Sequence, residues 1–509
     1  MTPTMNLIWF ARHEIRLAWR DWLAMMTAGR KRRTRNVLIG LVLFGVLMHL
    51  LAYAVVGRYA TLSSAADKTT LIVVAASLFL AWALVLSQAM ESVTRAFYAR
   101  ADLDLIMSSP AALANVFSIR MAAIALTVTT MALLLAAPFI DVLAFAGGAR
   151  WFAAYGVVAA AGLSAAAVAM AFTVALFRTI GPKRTRLVAQ IVAVVIGAGF
   201  VIALQVAAIL SSNTLSRFTV LTSDRVAAFA PDASSVAWMP VHAVFGDTVA
   251  VMMLLSVSLV LLGVTMAALA PQFGGHVVGA AGVAVSVRTG RAAARPFRGG
   301  SQAQALRRKE VVLLWRDPWL VSQSLMQLLY LIPPAVMLWR SFAGRSDALV
   351  LIAPVLVMAA GQLAGGLAWL TISGEDAADL VATAPLAPQR AIRAKIEVVL
   401  MVIAGVFAPL LVPFAVLSPW QAAVTASGIA IAALSSTAIQ LWFRTQARRS
   451  QFRRRQTSSR IATFAEALAS IGWAATTVLA LTIPVAAAVT GLLTLAIVTA
   501  TWAISPRRG

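Results

Sequence analysis

Twelve stretches of this sequence run for about 18 residues or more with almost no charge, long enough to cross a bilayer as helices. They are 37–56, 71–90, 121–144, 151–177, 187–210, 248–269, 319–339, 348–370, 398–417, 421–443, 461–483 and 485–504, numbered here as spans 1 to 12. The last two come from one unbroken run, divided at Pro484. Lipid offers no hydrogen bonds, so each segment must satisfy its own backbone, which selects helices. Composition agrees: 61% of the 509 residues are apolar and 12% are charged, where a soluble fold needs about a quarter charged. The predicted fold is an all-α polytopic membrane protein. Trp151, Trp319, Trp339, Trp420 and Trp502 fall at span ends and are expected in the interfacial belt.

The net charge is +24, from 42 Lys and Arg against 18 Asp and Glu. A nucleic-acid surface and a one-sided membrane protein both fit that number. Sorting it by side decides between them. With the N-terminus inside, 35 of the 42 basic residues fall in cytoplasmic segments and 7 outside. The positive-inside rule selects that orientation, with both termini cytoplasmic. Runs such as Arg30–Arg35 and Arg453–Arg455 abut spans, so topology and anionic lipid account for them without nucleic acid. The first 36 residues lack the pattern of a cleavable signal, so span 1 is expected to be an uncleaved anchor. The Ala/Arg-rich composition suggests a bacterial inner membrane. There is no cysteine, and His13, His49, His242 and His276 are too scattered for a metal motif.

The chain repeats itself. Glu14, Trp19, Arg20 and Asp21 recur 296 positions later as Glu310, Trp315, Arg316 and Asp317. At an offset of 275, Asp104-Leu105 matches Asp379-Leu380, Pro110 matches Pro385, Arg120 matches Lys395 and Pro138 matches Pro413. Phe177-Arg178-Thr179 recurs as Phe443-Arg444-Thr445. Ordered matches in halves of equal orientation predict two parallel six-helix repeats. The predicted domains are residues 1–271, a basic cytoplasmic linker over 272–302, and residues 303–509. The halves differ at one place: spans 5 and 6 are joined by 37 residues, 211–247, and spans 11 and 12 by almost none. The long connection has room for a lid or re-entrant element.

Two kinds of segment recur at the cytoplasmic side. Residues 6–26 and 304–320 are amphipathic, with Trp9, Trp19 and Trp22 or Leu313, Leu314 and Trp319 set against arginines. Such helices lie in the headgroup plane, as elbows leading into each six-span bundle. The segments after spans 2 and 8 begin with acids and end at a proline: Asp102 and Asp104 to Pro110, and Glu375, Asp376 and Asp379 to Pro385. A short helix is expected after each, over 111–120 and 386–395, with Ser109 and Thr383 placed to help cap it. Acids on a basic face suit a docking site for a soluble partner.

An elbow ending in Trp-Arg-Asp, six spans, and an Asp-Leu-x-x-(Ser/Thr)-x-Pro segment between spans 2 and 3 resemble the permease subunits of ABC-2 type (type V-like) exporters. The resemblance covers both halves, as though two permeases were fused head to tail. It implies that Asp102, Asp104, Ser109 and Pro110, with Glu375, Asp376, Asp379, Thr383 and Pro385, lie on coupling helices that meet the ATPase. It also implies an ATP-driven exporter with two ATPase copies, and an outer re-entrant element for which only the first half has room. The sequence holds no Gly-x-x-x-x-Gly-Lys-(Ser/Thr) loop. ATP and Mg are thus expected on a separate partner chain, and no cofactor, metal or catalysis on this one.

Ionisable groups within spans are functional candidates. Glu466 lies about one and a half turns into span 11, within reach of Arg460. Glu397 stands at the lip of span 9, and Asp141 at the outer end of span 3. His49 is expected to be a hydrogen-bonded core residue. Gln190, Gln205, Gln323, Gln327 and Gln362 line a pathway or bond between helices. Gly361 and Gly365 form a Gly-x-x-x-Gly in span 8. Pro138, Pro413 and the pair Pro333-Pro334 are expected to kink or break their helices, with Pro138 and Pro413 as candidate hinges. Two other functions fit parts of this pattern. A twelve-span secondary transporter explains the symmetry, but calls for charge at mid-membrane. A membrane-embedded lipid-processing enzyme needs converging acids, for which Asp224, Asp232, Asp247 and His242 of the long loop are the candidates.

Overall fold

The computed structural model describes residues 34–61, 68–98, 113–212, 218–270, 301–316, 347–373, 387–443 and 460–505, with isolated positions in 12–20, 325–337 and 383–385. Among these residues there is no strand. The chain is an all-α multi-pass membrane protein, with eleven described helices long and apolar enough to cross a bilayer. Span 7 falls mostly outside the described residues; Pro333 within it is helical and buried.

The spans sit where the apolar runs put them. Span 6 is Thr248–Leu269, span 10 Pro419–Phe443, span 11 Arg460–Thr482 and span 12 Pro484–Ile504. Others run beyond their apolar windows. Span 3 extends over Leu113–Gly147 and span 9 over Pro388–Leu417, so the stretches expected as separate short helices are the first turns of these spans. Pro138, Pro354, Pro409 and Pro413 lie inside unbroken helices. At Pro138 and Pro413 the helix continues rather than breaks, as neighbouring helices can take up the freed backbone groups of a membrane helix.

The chain divides into two compact units at 287/288, within the stretch expected as the linker. In the first unit, spans 2 and 4, 2 and 5, 3 and 4, 4 and 5, and 2 and 3 pack together. The corresponding pairs of the second unit do the same: 8 and 10, 8 and 11, 9 and 10, 10 and 11, and 8 and 9. Small residues permit these approaches. Span 4 presents Ala165, Ala166, Ala167 and Ala169, all fully buried, and Gly162 against Thr129 of span 3.

The last span of each unit breaks the correspondence. Span 6 packs along span 4, whereas span 12 packs along span 11. The connections explain it. Span 12 follows span 11 across Ile483 alone and folds straight back. The 211–247 connection forms short helices instead, at Phe218–Leu221, Asp224–Phe229 and Met239–Val244. Leu221, Trp238, Val241 and Phe245 are buried there against Leu71 and Ile72 of span 2 and Ala144 of span 3. Trp238 donates its indole N–H to the Asp232 carbonyl at 3.0 Å. Asp247 caps span 6 by accepting from Val249 and Ala250. The connection is a folded cap on the ends of spans 2 and 3.

Trp151 corrects the belt expectation. It is buried, tilted against Phe245, and donates to the Ala60 carbonyl at 3.0 Å. Trp420 and Trp502 are exposed, as interfacial aromatics are.

Candidate functional site

The segment joining spans 8 and 9 carries the acids expected to meet a partner. Asp102, Asp104, Ser109, Pro110, Glu375, Asp376 and Asp379 lie outside the described residues. Thr383 and Pro385 are described, and both are exposed. The helix start falls later than expected, with Ala387 at the cap and Pro388 in the first turn, so Thr383 does not cap it. Proline's fixed φ and missing N–H suit Pro388 to that place.

What the structure describes closely is the frame around this segment. The second elbow is the helix Gln302–Arg316. It opens on a capping box: Ser301 Oγ accepts from the Gln304 N–H, and Gln304 Oε1 accepts from the Ser301 N–H, each at 3.3 Å. Of the first elbow, Arg12, His13, Arg16 and Arg20 are described, all helical and exposed. Arg12, Arg16 and Arg20 recur every four residues and so share one face.

The second elbow is bolted to the first turns of span 9. Lys395 donates to both oxygens of Glu310, at 2.9 and 3.0 Å, and to the carbonyl of Thr371 near the end of span 8. Glu310 is almost fully buried and Lys395 nearly so. Arg307 Nε donates to Glu397 Oε2 at 2.6 Å, and Arg393 Nε to Glu397 Oε1 at 3.0 Å. The hydrogen bond from Arg307 to Glu397, and the carboxylate charge, hold the guanidinium proton more firmly than in free arginine. Arg390 reaches Gln302 Oε1 at 2.7 Å. Thr371 precedes the acidic segment and Lys395 follows it, so one ammonium ties both ends of that segment to the elbow.

A second polar centre lies among spans 8, 10 and 11. Glu466 is buried, and its Oε2 accepts from Gln440 Nε2 at 2.5 Å. Its carboxyl group lies on Gly365, where a Cβ would stand 2.1 Å from Oε1. One turn along, Gly361 faces Ser470 Oγ, which pairs with Ser436 Oγ at 3.4 Å. Trp473 donates to Ser435 Oγ at 3.0 Å. The Gly-x-x-x-Gly of span 8 thus admits polar groups of its neighbours.

The other candidates scatter. Gln362 is exposed on the unit's surface, and Gln327 lies outside the described residues. Pro138 is buried and Pro413 half-buried. His49 is not a core residue: it is half-exposed and faces Asp141. Among the described residues, no three His, Asp or Glu group as metal ligands do. Sequence reasoning missed Gln440, which has no periodic signature. It also missed the pairing of Glu310 with Lys395, although each had been matched across the repeat, one acid and one base. No known protein family, curated protein or solved structure matches the chain.

Proposed function

We propose that this chain is the membrane-spanning permease subunit of an ATP-driven ABC exporter, energised by separate ATPase subunits docking on the segments between spans 2 and 3 and spans 8 and 9. The observation that carries the reading is the set of three hydrogen bonds that Lys395 gives to Glu310 and the Thr371 carbonyl. A push on the 374–387 segment is delivered at once to span 8, span 9 and the elbow. A clamp at that place is what transmission from a soluble motor requires. Two such segments call for two ATPase copies, which bring ATP and Mg. The positive-inside count supports cytoplasmic termini, and the Ala/Arg-rich, cysteine-free composition supports a bacterial inner membrane.

The test is affinity purification of the chain from its own host, followed by assay for ATP hydrolysis and identification of a co-purified chain with a phosphate loop. Replacing Asp104→Arg and Asp379→Arg together is expected to release that chain while leaving the permease folded. Purified protein that transports on an ion gradient without ATP overturns the reading. The buried Glu466 favours a secondary transporter. Glu466→Gln separates the two: it abolishes gradient-driven transport but leaves ATPase docking intact.

A further inference from the structure

A titratable cluster lies in the first unit, far in sequence from the elbow clamp. Among the described positions 42–56, span 1 covers only Gly45, Met48, His49, Ala52 and Val56; the rest are exposed. Met48, His49, Ala52 and Val56 lie within one narrow stripe, and span 1 packs against span 3. His49 is the polar member of that stripe.

Its hydrogen bonds fix where its protons are. His49 Nδ1 lies 2.8 Å from the Gly45 carbonyl, which can only accept, so Nδ1 carries a hydrogen. Nε2 lies 3.4 Å from Asp141 Oδ2 of span 3. The other oxygen, Oδ1, accepts from the Tyr155 hydroxyl of span 4 at 2.7 Å. The contact between Nε2 and Oδ2 attracts only when one proton lies between them, as imidazolium with carboxylate or as neutral imidazole with carboxylic acid. Without that proton, a nitrogen lone pair faces an anion. On span 1 itself Tyr53 is exposed, and the two arginines described near this end have other partners. Arg58 covers the Tyr59 ring, 4.6 Å from its centroid. Arg150, at the start of span 4, donates to the Ala60 carbonyl at 3.3 Å.

We propose that His49 and Asp141 form a proton-binding site whose occupancy fixes the C-terminal half of span 1 to span 3, with Tyr155 holding the carboxylate in place. Bound, the proton joins the two spans. Released, it leaves span 1 attached by a stripe of small and apolar contacts, with a repulsive pair at its centre. The proposal stands independently of the exporter reading, since it concerns one helix contact and the proton alone.

The absence of cysteine makes a clean test possible. Leu43 and Phe145 are both well exposed, so nitroxides at Leu43→Cys and Phe145→Cys leave the stripe untouched. Pulsed EPR in lipid nanodiscs gives the distance distribution at pH about 5 and about 9, either side of the usual imidazole range. One narrow distance is expected at acid pH, and a longer, broader population at alkaline pH. Asp141→Asn should stay narrow at both, because its amide N–H can donate to the neutral Nε2 and its carbonyl can accept from the protonated one. Asp141→Leu should be broad at both. Identical narrow distributions at both pH values in the parent protein overturn the proposal. So does a pH response of parental size in either Asp141 variant.

Discussion

Lys395 Nζ sits 2.9 Å from Glu310 Oε1 and 3.0 Å from Oε2, joining two helices 85 residues apart in sequence through a carboxylate withdrawn from solvent. Neither group is easily spared. Removing one partner of a buried pair costs about 3–5 kcal/mol when the other charge is left uncompensated. Glu310→Gln alone is expected to destabilise the second unit by about 3 kcal/mol; Lys395→Met is expected to cost less, because Lys309 Nζ still lies 3.4 Å from Glu310 Oε1. The double variant should lose less than the sum of the two. Reversible unfolding in mixed micelles, run as a double-mutant cycle, measures the difference, and strict additivity would show the pair to be uncoupled.

The second prediction concerns Gly365. A Cβ there would stand 2.1 Å from Glu466 Oε1, so Gly365→Ala must displace the carboxyl group or part the helices. Overpacking of this kind costs about 1–3 kcal/mol. Glu466→Ala frees the same volume, and the combined variant is expected to recover much of the loss. Thermal denaturation of the four proteins checks it; a combined variant as weak as Gly365→Ala alone refutes the steric cause.

Gln440 gives a third. Its amide donates to Glu466 inside the membrane, where interhelical hydrogen bonds are worth about 0.6 to 2 kcal/mol. Gln440→Leu removes the donor and is expected to cost at least that much. Glu466→Gln keeps an acceptor for the same amide and should be nearly neutral. Chemical denaturation of both variants decides between this order and the reverse.

Trp238 anchors the cap over spans 2 and 3. Truncating a buried Trp costs about 3–5 kcal/mol, and here the loss falls on one short connection. Trp238→Ala is expected to open residues 211–247 to limited proteolysis while the spans stay intact. Resistance equal to that of the parent protein would show that Trp238 does not hold the cap closed.

How far the sequence could be read follows from which physics each feature obeys. Burial in lipid is local and one-dimensional, so spans such as 248–269 and 421–443 are legible within a few residues. Where a helix stops being apolar is not where it stops being helical. Span 9 therefore begins at Pro388, ten residues before its apolar window, with Arg390, Arg393, Lys395 and Glu397 on its first turns. Those charges look like loop residues until Arg307 and Glu310 are placed beside them. Trp151 shows the converse: an aromatic at a span end reads as interfacial until the 211–247 cap covers it. The Gly-x-x-x-Gly signalled a close approach, but only packing revealed Glu466 and Ser470 as the groups admitted.

The single residue between spans 11 and 12 has a consequence for assembly. Span 4, flanked by span 6, has no exposed position between 153 and 170, while span 10 exposes Trp420, Ala423, Ser427, Ala430, Ile431 and Leu434 at helical spacing. Two copies of either half would carry two like flanks. Fused in one polypeptide, the halves carry two unlike flanks, and translation itself fixes their ratio at one to one.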